Sequence, residues 1–282
     1  MNKTIFSFVL ILISTSCYRE FSIEPPVCNN CNQPVVLCFI TPGSTVKAYV
    51  TISSSFVMPL DSNRREFMGS LLITSSNGSF IELEKSQDNP LWFVDESSSF
   101  QIIKGEKYFL SVIDVNRRVI SVAEAVVPEK ADSMIYCKYA SFSEDGQESQ
   151  YTVKAKWERK NRFNNILGYA VVYNPLEVPS SLSLDYDSNQ IQVNDSIFEY
   201  VIADYWCYKS YFTLFTLNES FDSYMSSYII FYDLGIDVSF QDLMNTYNGI
   251  IPEYTNFDNS LGVFGAYLTD TISALNPYPS PY

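Results

Sequence analysis

The chain has 282 residues, a formal net charge of −14 at neutral pH, 46% hydrophobic residues, 21 Tyr, 20 Phe and no His. Phosphates repel so acidic a surface, which makes nucleic acid a poor candidate partner. The lack of histidine excludes Ser-His and Cys-His nucleophile pairs and removes the commonest metal ligand in proteins.

Residues 1–16 have the pattern of a bacterial lipoprotein signal peptide. Lys3 provides a positive charge, and the mostly apolar run of nine residues that follows is too short to span a bilayer as a helix. Two small residues then precede Cys17, the predicted site of lipid attachment, although Ser14 stands where most such signals have Leu. The alternative is an ordinary signal peptide followed by a chance cysteine. Removal of Lys3 with the signal leaves 17 basic and 32 acidic residues, a formal charge of −15.

Residues 17–33 are predicted to form an extended tether, because Pro25 and Pro26 lie in a segment without hydrophobic periodicity. Cys28 and Cys31 in this segment have CxxC spacing, but the chain has neither a second such pair nor a histidine to complete a zinc site. A small local disulfide, or two unpaired thiols, is favoured over redox catalysis.

Three more cysteines follow the tether. Cys38 lies in an apolar strand-like run, and we expect it to be a small buried hydrophobic residue. Cys137 and Cys207 fall in aromatic strand-like segments, and an oxidising compartment would permit a disulfide between them. The sequence does not give their distance.

Residues 34–128 are predicted to form an immunoglobulin-like β-sandwich. About seven short strands follow one another with turn signals roughly every ten residues, as in such domains. Residues 45–52 alternate apolar and polar side chains, which predicts a half-buried strand. The dipeptide Asn77-Gly78 predicts a tight hairpin.

Residues 129–282 are predicted to form a second, mainly β domain that ends in a Pro-rich tail. Alternation is clear over residues 152–157. Thr216 and Glu219 fit a capping box, which predicts one short helix. Its aromatic stripe is expected to pack against the sheet rather than to bind a ligand, and it consists of Phe221, Tyr224, Met225, Tyr228 and Tyr232.

The order of these features resembles a known family. The features are the cysteine at the signal junction, the apolar strand 35–40, the Gly-Glu-Lys-Tyr-Phe-Leu run at 105–110, the aromatic helix and the Leu-Gly-Val-Phe-Gly-Ala run at 261–266. Over nearly the whole mature chain they resemble the Bacteroidota lipoprotein family catalogued as domain of unknown function 4249. The resemblance implies a lipid-anchored outer-membrane protein, often encoded near TonB-dependent receptors, on a face of the membrane that it does not specify. It brings no established catalytic or binding residues.

The sequence contains no P-loop, dinucleotide-binding turn, nucleophile elbow or EF-hand loop. We therefore expect no enzymatic activity, no cofactor and no metal site, with a paired-carboxylate glycoside hydrolase as a remaining alternative. An exported-protein glycosylation pattern of Bacteroidota (Asp, then Ser or Thr, then an aliphatic residue, Met or Thr) makes Ser133, Ser196 and Thr271 candidate O-glycosylation sites.

Aromatic residues beside turns form the candidate partner contact. Tyr205, Trp206, Tyr254 and Phe257 neighbour polar and turn-forming residues, and some of them are expected to make an exposed apolar patch. The sequence and the resemblance together predict an accessory or substrate-capturing subunit of a TonB-dependent β-barrel receptor. The alternative is a cell-surface adhesion or structural module.

Overall fold

The protein is described by a computed structural model that covers residues 33–53, 66–142, 150–172, 183–186, 191–204, 208–232 and 254–275. These residues form one α-helix, α1 (Glu219–Tyr232), and fifteen β-strands. The strands are β1 (Pro34–Ile40), β2 (Lys47–Ile52), β3 (Ser70–Ser75), β4 (Phe80–Lys85), β5 (Trp92–Val94), β6 (Lys107–Ile113), β7 (Val119–Val126), β8 (Ser133–Phe142), β9 (Gln150–Glu158), β10 (Asn165–Val172), β11 (Ser183–Tyr186), β12 (Ile191–Asn194), β13 (Ile197–Asp204), β14 (Lys209–Leu217) and β15 (Leu261–Leu275).

The all-β class predicted from the sequence is confirmed, and the strands form two sheets. One sheet has eleven strands in the order β11-β10-β14-β15-β1-β2-β5-β4-β3-β6-β7, and the other has four in the order β12-β13-β9-β8. The helix in the described part of the chain is not long and apolar enough to cross a membrane.

The first layered region consists of β1 to β7, in which the long sheet folds back on itself. Strands β3 and β6 alternate, with Leu71, Ile73, Leu110 and Val112 pointing into a shared core and fully buried. The prediction of a half-buried strand at residues 45–52 was wrong in its burial, because β2 is covered on both faces and is buried at every position from 48 to 51. The hairpin predicted at Asn77-Gly78 joins β3 and β4, and Gly78 has a φ of 91°. This positive φ is why glycine suits the turn.

Two features of this region favour the immunoglobulin-like prediction. The order β1-β2-β5-β4 followed by β3-β6-β7 corresponds to the A-B-E-D and C-F-G order of those domains. Tyr108, near the start of β6, accepts a hydrogen bond from the Ile103 N–H at 2.7 Å and donates to the Gln101 carbonyl at 3.4 Å. This contact resembles the tyrosine corner of such sandwiches. Membership of that fold family stays a prediction.

Strand β1 lies in the middle of the long sheet and is buried on both faces. It pairs antiparallel with β2 and parallel with β15. Its even-numbered residues, Val36, Cys38 and Ile40, enter the core of the first region, whereas Leu37 and Phe39 enter a second core beneath α1. Because both faces are covered, the strand is uniformly apolar instead of alternating. Cys38 is buried as predicted, and burial raises the pKa of its thiol.

Strand β15 is shared by both halves of the molecule. Its residues 261–266 pair with β1, and residues 267–275 pair with β14. Gly262, the second residue of β15, has a φ of 101°. A Cβ at this position would lie 2.0 Å from the Val36 carbonyl oxygen. Only glycine fits this close backbone approach. The predicted division between residues 128 and 129 stays a prediction, and β15 shows how the two parts are connected.

The second layered region packs the four-stranded sheet against β10, β14 and β15. Its core joins Trp157 and Ala155 of β9 with Leu167, Phe212 and Leu214 of the long sheet, all of them fully buried. Phe198 stacks on Trp157 with ring centroids 6.0 Å apart. Strands predicted at 134–140, 151–157 and 168–173 correspond to β8, β9 and β10.

Helix α1 begins after Asn218, not with the predicted capping box. The Asn218 Oδ1 accepts hydrogen bonds from the Phe221 N–H at 3.1 Å and from the Ala266 N–H of β15 at 3.0 Å. Thr216 was the wrong choice of cap because β14 continues through it, and its hydroxyl instead accepts a bond from the Asp132 N–H. The predicted packing is confirmed for Phe221, Tyr224 and Met225, which are at most 3% exposed.

Candidate interaction site

Several predicted functional residues lie outside the part of the chain that the structure describes. They are Cys17, Cys28, Cys31, Tyr205, Trp206 and Cys207. Cys137 is half-buried on β8, so the predicted Cys137–Cys207 disulfide stays a prediction. Lipid attachment at Cys17 and pairing of Cys28 with Cys31 also stay predictions.

One of the four residues predicted for the aromatic patch is buried. Phe257 is 6% exposed and belongs to the core of the first region, so it cannot contact a partner. Tyr254 is half-buried and packs against the second core. The prediction about Phe257 was wrong because its polar neighbours are used inside the protein, where they connect this segment to strand β7.

That connection is a polar seam formed by residues 254–260. The Asp258 carboxylate accepts hydrogen bonds from the Val122 N–H and the Ser121 hydroxyl, both at 2.8 Å. The Val122 bond and then the Ser121 bond lower the pKa of Asp258. Asn256 donates to the Glu124 carbonyl at 3.0 Å and accepts from the Phe264 N–H at 2.9 Å. The polar seam provides hydrogen-bond partners for backbone groups along the outer edge of β7, and the chain continues from it into β15.

The three candidate glycosylation sites differ in surroundings. Ser196 lies in the tight turn between β12 and β13, whose Asn194 side chain accepts from the Ser196 and Ile197 N–H groups. Ser133 and Thr271 instead lie within strands, where the Thr271 hydroxyl hydrogen-bonds Thr213 at 3.1 Å. The Thr271 side chain is exposed despite its place in a strand, whereas the Ser133 and Ser196 side chains are half-buried. All three remain predictions.

The acidic residue preceding Ser133 has a structural role. Asp132 is fully buried, and its Oδ1 accepts bonds from the Lys160 and Asn161 N–H groups at 2.6 and 3.0 Å. Its own N–H donates to the Thr216 hydroxyl at 2.8 Å. This aspartate therefore fixes the turn after β9 against β14, and its side chain is not presented to an enzyme.

The outer face of the four-stranded sheet carries a group of lysines that the sequence analysis did not identify. Because Val153, Ala155 and Trp157 point into the core, Lys154 and Lys156 point to the opposite face of β9. Lys138 of β8 is directly opposite Lys154, and Tyr136 is opposite Lys156. We call Tyr136, Lys138, Lys154 and Lys156 the lysine face.

Contacts on the lysine face hold its side chains close together. The Lys154 ammonium lies 3.1 Å from the Glu199 carboxylate of β13. The Lys138 and Lys156 ammonium groups lie 4.9 and 5.8 Å from the centre of the Tyr136 ring, within the range of cation–π attraction. Burial and the nearby Glu199 charge raise the pKa of Tyr136.

Alternation in residues 152–157 was the available sequence signal for part of this face. It placed Lys154 and Lys156 on one side of a strand. The register that brings Lys138 opposite Lys154 includes a bulge between Met134 and Tyr136. Such an irregularity shifts which residues face each other, so the cluster could not be identified from the pattern alone.

Comparison with known proteins adds no identification. No protein-family model matches the chain, and no curated protein matches it significantly. The described geometry defines an all-β protein of two layered regions that share one long strand, with a basic outer face on an otherwise acidic chain.

Proposed function

We propose that this protein is a non-enzymatic, lipid-anchored outer-membrane lipoprotein that serves as an accessory or substrate-capturing subunit of a TonB-dependent β-barrel receptor. The signal pattern ending at Cys17 and the family resemblance support the location and the partner. The structural observation that best supports an anchored role is the position of β1. This strand follows the predicted tether at once and lies between β2 and β15.

A load applied through the tether would act on β1 along its length. The hydrogen bonds of β1 to both neighbours would then be strained together in shear, rather than opened one at a time from an edge. Burial of both faces of β1 adds resistance, because sliding the strand would expose Leu37, Phe39 and other apolar side chains to water. Such an attachment suits a body held at a membrane while a partner binds it.

The anchor is tested by Cys17→Ala. We expect metabolic labelling with a palmitate analogue to mark the wild-type protein and to be lost in this variant, because no other thiol would follow the signal junction. Cys28→Ala, in the same tether, is the matched control and should be labelled normally. Equal labelling of wild type and Cys17→Ala would contradict lipid attachment.

The receptor partnership is tested separately by affinity purification from outer membranes dissolved in a mild detergent. Recovery of a TonB-dependent β-barrel with the wild-type protein, in amounts that survive washing, supports the proposal. Recovery of no β-barrel from membranes that contain the anchored protein contradicts it, even if the labelling result is positive.

A cell-surface adhesion or structural module is the second candidate. The A-B-E-D and C-F-G strand order supports it, because immunoglobulin-like sandwiches often have that role, although fold does not define function. A deletion strain separates the two candidates. Lost attachment with normal growth on every nutrient favours adhesion, whereas a growth defect on particular nutrients favours uptake.

A further inference from the structure

The lysine face concentrates positive charge at a place where the fold does not require it. Like charges directly opposite each other on neighbouring strands are destabilising, and Lys138 and Lys154 are such a pair. The chain has 32 acidic residues against 18 basic ones, so opposite charges are available in abundance. Within the described residues, Glu199 is directly opposite Lys156 and lies 3.1 Å from the Lys154 ammonium, so its carboxylate offsets part of the charge of this face.

The chemistry of the face limits the partner. Lys138 is exposed, Lys154 retains 32% of its side-chain exposure, and Lys156 is half-buried. All three cations are lysines, whose ammonium groups are flexible point charges without the fixed fork that arginine offers to a single carboxylate or phosphate. Such a surface suits an extended chain with repeated negative charges better than one tightly oriented group.

We propose that the lysine face binds a carboxylate-bearing polysaccharide. The Lys138, Lys154 and Lys156 ammonium groups pair with successive carboxylates of the glycan, and the Tyr136 ring lies beside Lys138 and Lys156. The inference is independent of the receptor partnership, because it depends only on this face of the four-stranded sheet.

Charge and composition favour a polysaccharide over the other polyanions. Protein interfaces are depleted in lysine at their centres, which makes this face a poor protein-binding core. An anionic membrane would act on a broad area of the molecule, over which acidic residues outnumber basic ones by 32 to 18. A single glycan chain reaches only the charges within about 8 Å, the screening length at physiological salt.

The test uses the processed full-length protein in a neutral detergent, with polygalacturonate as the probe and fully methyl-esterified polygalacturonate as its uncharged match. Binding is measured by isothermal titration calorimetry at low and physiological salt. We expect binding of polygalacturonate that weakens with salt, and little binding of the ester. Comparable binding of both polymers would overturn the proposal.

Two triple variants with the same change in net charge show whether the face itself binds. Lys138→Gln/Lys154→Gln/Lys156→Gln is expected to lose affinity by about 100-fold, since a lysine near an anionic surface contributes about fivefold. Lys47→Gln/Lys104→Gln/Lys130→Gln changes three exposed lysines elsewhere and should retain affinity within about twofold. Equal losses in the two variants, or no loss in the first, would overturn the proposal.

The single variant Lys138→Gln keeps the Lys154–Glu199 ion pair. It tests the face even if the triple variant does not fold. It should lose affinity by about fivefold with an unchanged circular dichroism spectrum. Poly-glutamate and vesicles of anionic phospholipid are the competing probes. Tighter binding of either one than of polygalacturonate, lost in the same variants, would assign the face to a protein or a membrane and overturn the polysaccharide proposal.

Discussion

The two layered regions differ in how charged residues are placed on the outer surfaces of their sheets. In the first region, charges on the sheet surface are matched, as in the pairs Glu82–Arg117 and Lys107–Glu124. In the second region, Lys138 is opposite Lys154, whereas Glu199 is opposite Lys156 and lies 3.1 Å from the Lys154 ammonium. A sheet selected for stability alone would favour opposite charges in both places. The like-charged pair on the second surface is the feature on which the proposed polysaccharide binding depends.

The two regions share strand β15. Although their surface charges differ, we do not expect them to fold independently. Strand β15 contributes Phe264 to the core of the first region, and its far end pairs with β14 beside the core of the second. The Asn256 and Asp258 side chains add bonds from the segment before β15 to the edge of the first region. We therefore expect the described parts of both regions to unfold together.

The largest effect on stability is expected from Gly262→Ala, which changes the strand that both regions share. The added Cβ would meet the Val36 carbonyl at 2.0 Å in a backbone conformation that disfavours alanine. Strain and overpacking together should lower the free energy of unfolding by about 3 kcal/mol or more.

Gly78→Ala is the matched control for that substitution. Its φ is also positive, at 91°, but no atom lies within 4 Å of the added Cβ. The expected loss is about 1 kcal/mol, from backbone strain alone. Denaturation followed by circular dichroism and tryptophan fluorescence measures both variants. Two separate transitions in Gly262→Ala, with one region at wild-type stability, would show that the regions are independent.

A smaller loss is expected from Asn218→Ala. This side chain caps α1 and also accepts a hydrogen bond from the buried Ala266 N–H of β15. The substitution therefore removes the helix cap and leaves the Ala266 N–H without this hydrogen-bond partner. The expected loss in free energy of unfolding is about 2 kcal/mol. Asn116→Ala, which changes an exposed turn, is the control and should have a much smaller effect. Equal midpoints of denaturation for the two variants would contradict the bridging role of Asn218.

The smallest effects compare the two surfaces directly, through one substitution on each. Glu82→Gln weakens an exposed ion pair of the first region and should lower the thermal midpoint slightly. Lys138→Gln relieves repulsion on the lysine face and should raise it slightly. Changes in thermal midpoint of opposite sign at low salt would support the difference in charge placement between the two surfaces. Changes of the same sign would contradict it.

The Glu82 effect should also depend on pH. The hydrogen bond from Arg117 lowers the pKa of Glu82 in the folded protein. The contribution is therefore present above the ordinary glutamate pKa of about 4.3 and is lost as the pH falls through the lowered value. The difference in midpoint between wild type and Glu82→Gln should shrink from pH 7 to pH 3, and a growing difference would contradict this assignment.

Local chemistry determined much of the fold directly from the sequence. The alternation of residues 152–157, the Asn77-Gly78 hairpin and the uniformly apolar run at β1 depend on neighbouring residues alone. Each follows from side-chain direction or from allowed backbone angles, which are local properties. The burial of Cys38, and of Phe221, Tyr224 and Met225 on α1, followed for the same reason.

The tertiary structure decided what depends on distant partners. The parallel pairing of β1 with β15 joins residues more than 200 positions apart, and the choice of Asn218 over Thr216 as helix cap depends on that same strand. Phe257 became part of the core because its neighbours found partners on β7. The lysine face exists only because a bulge sets the register of β8 against β9. A periodic pattern assigns a residue to a face of its strand, but only packing decides which strand lies opposite and at which residue.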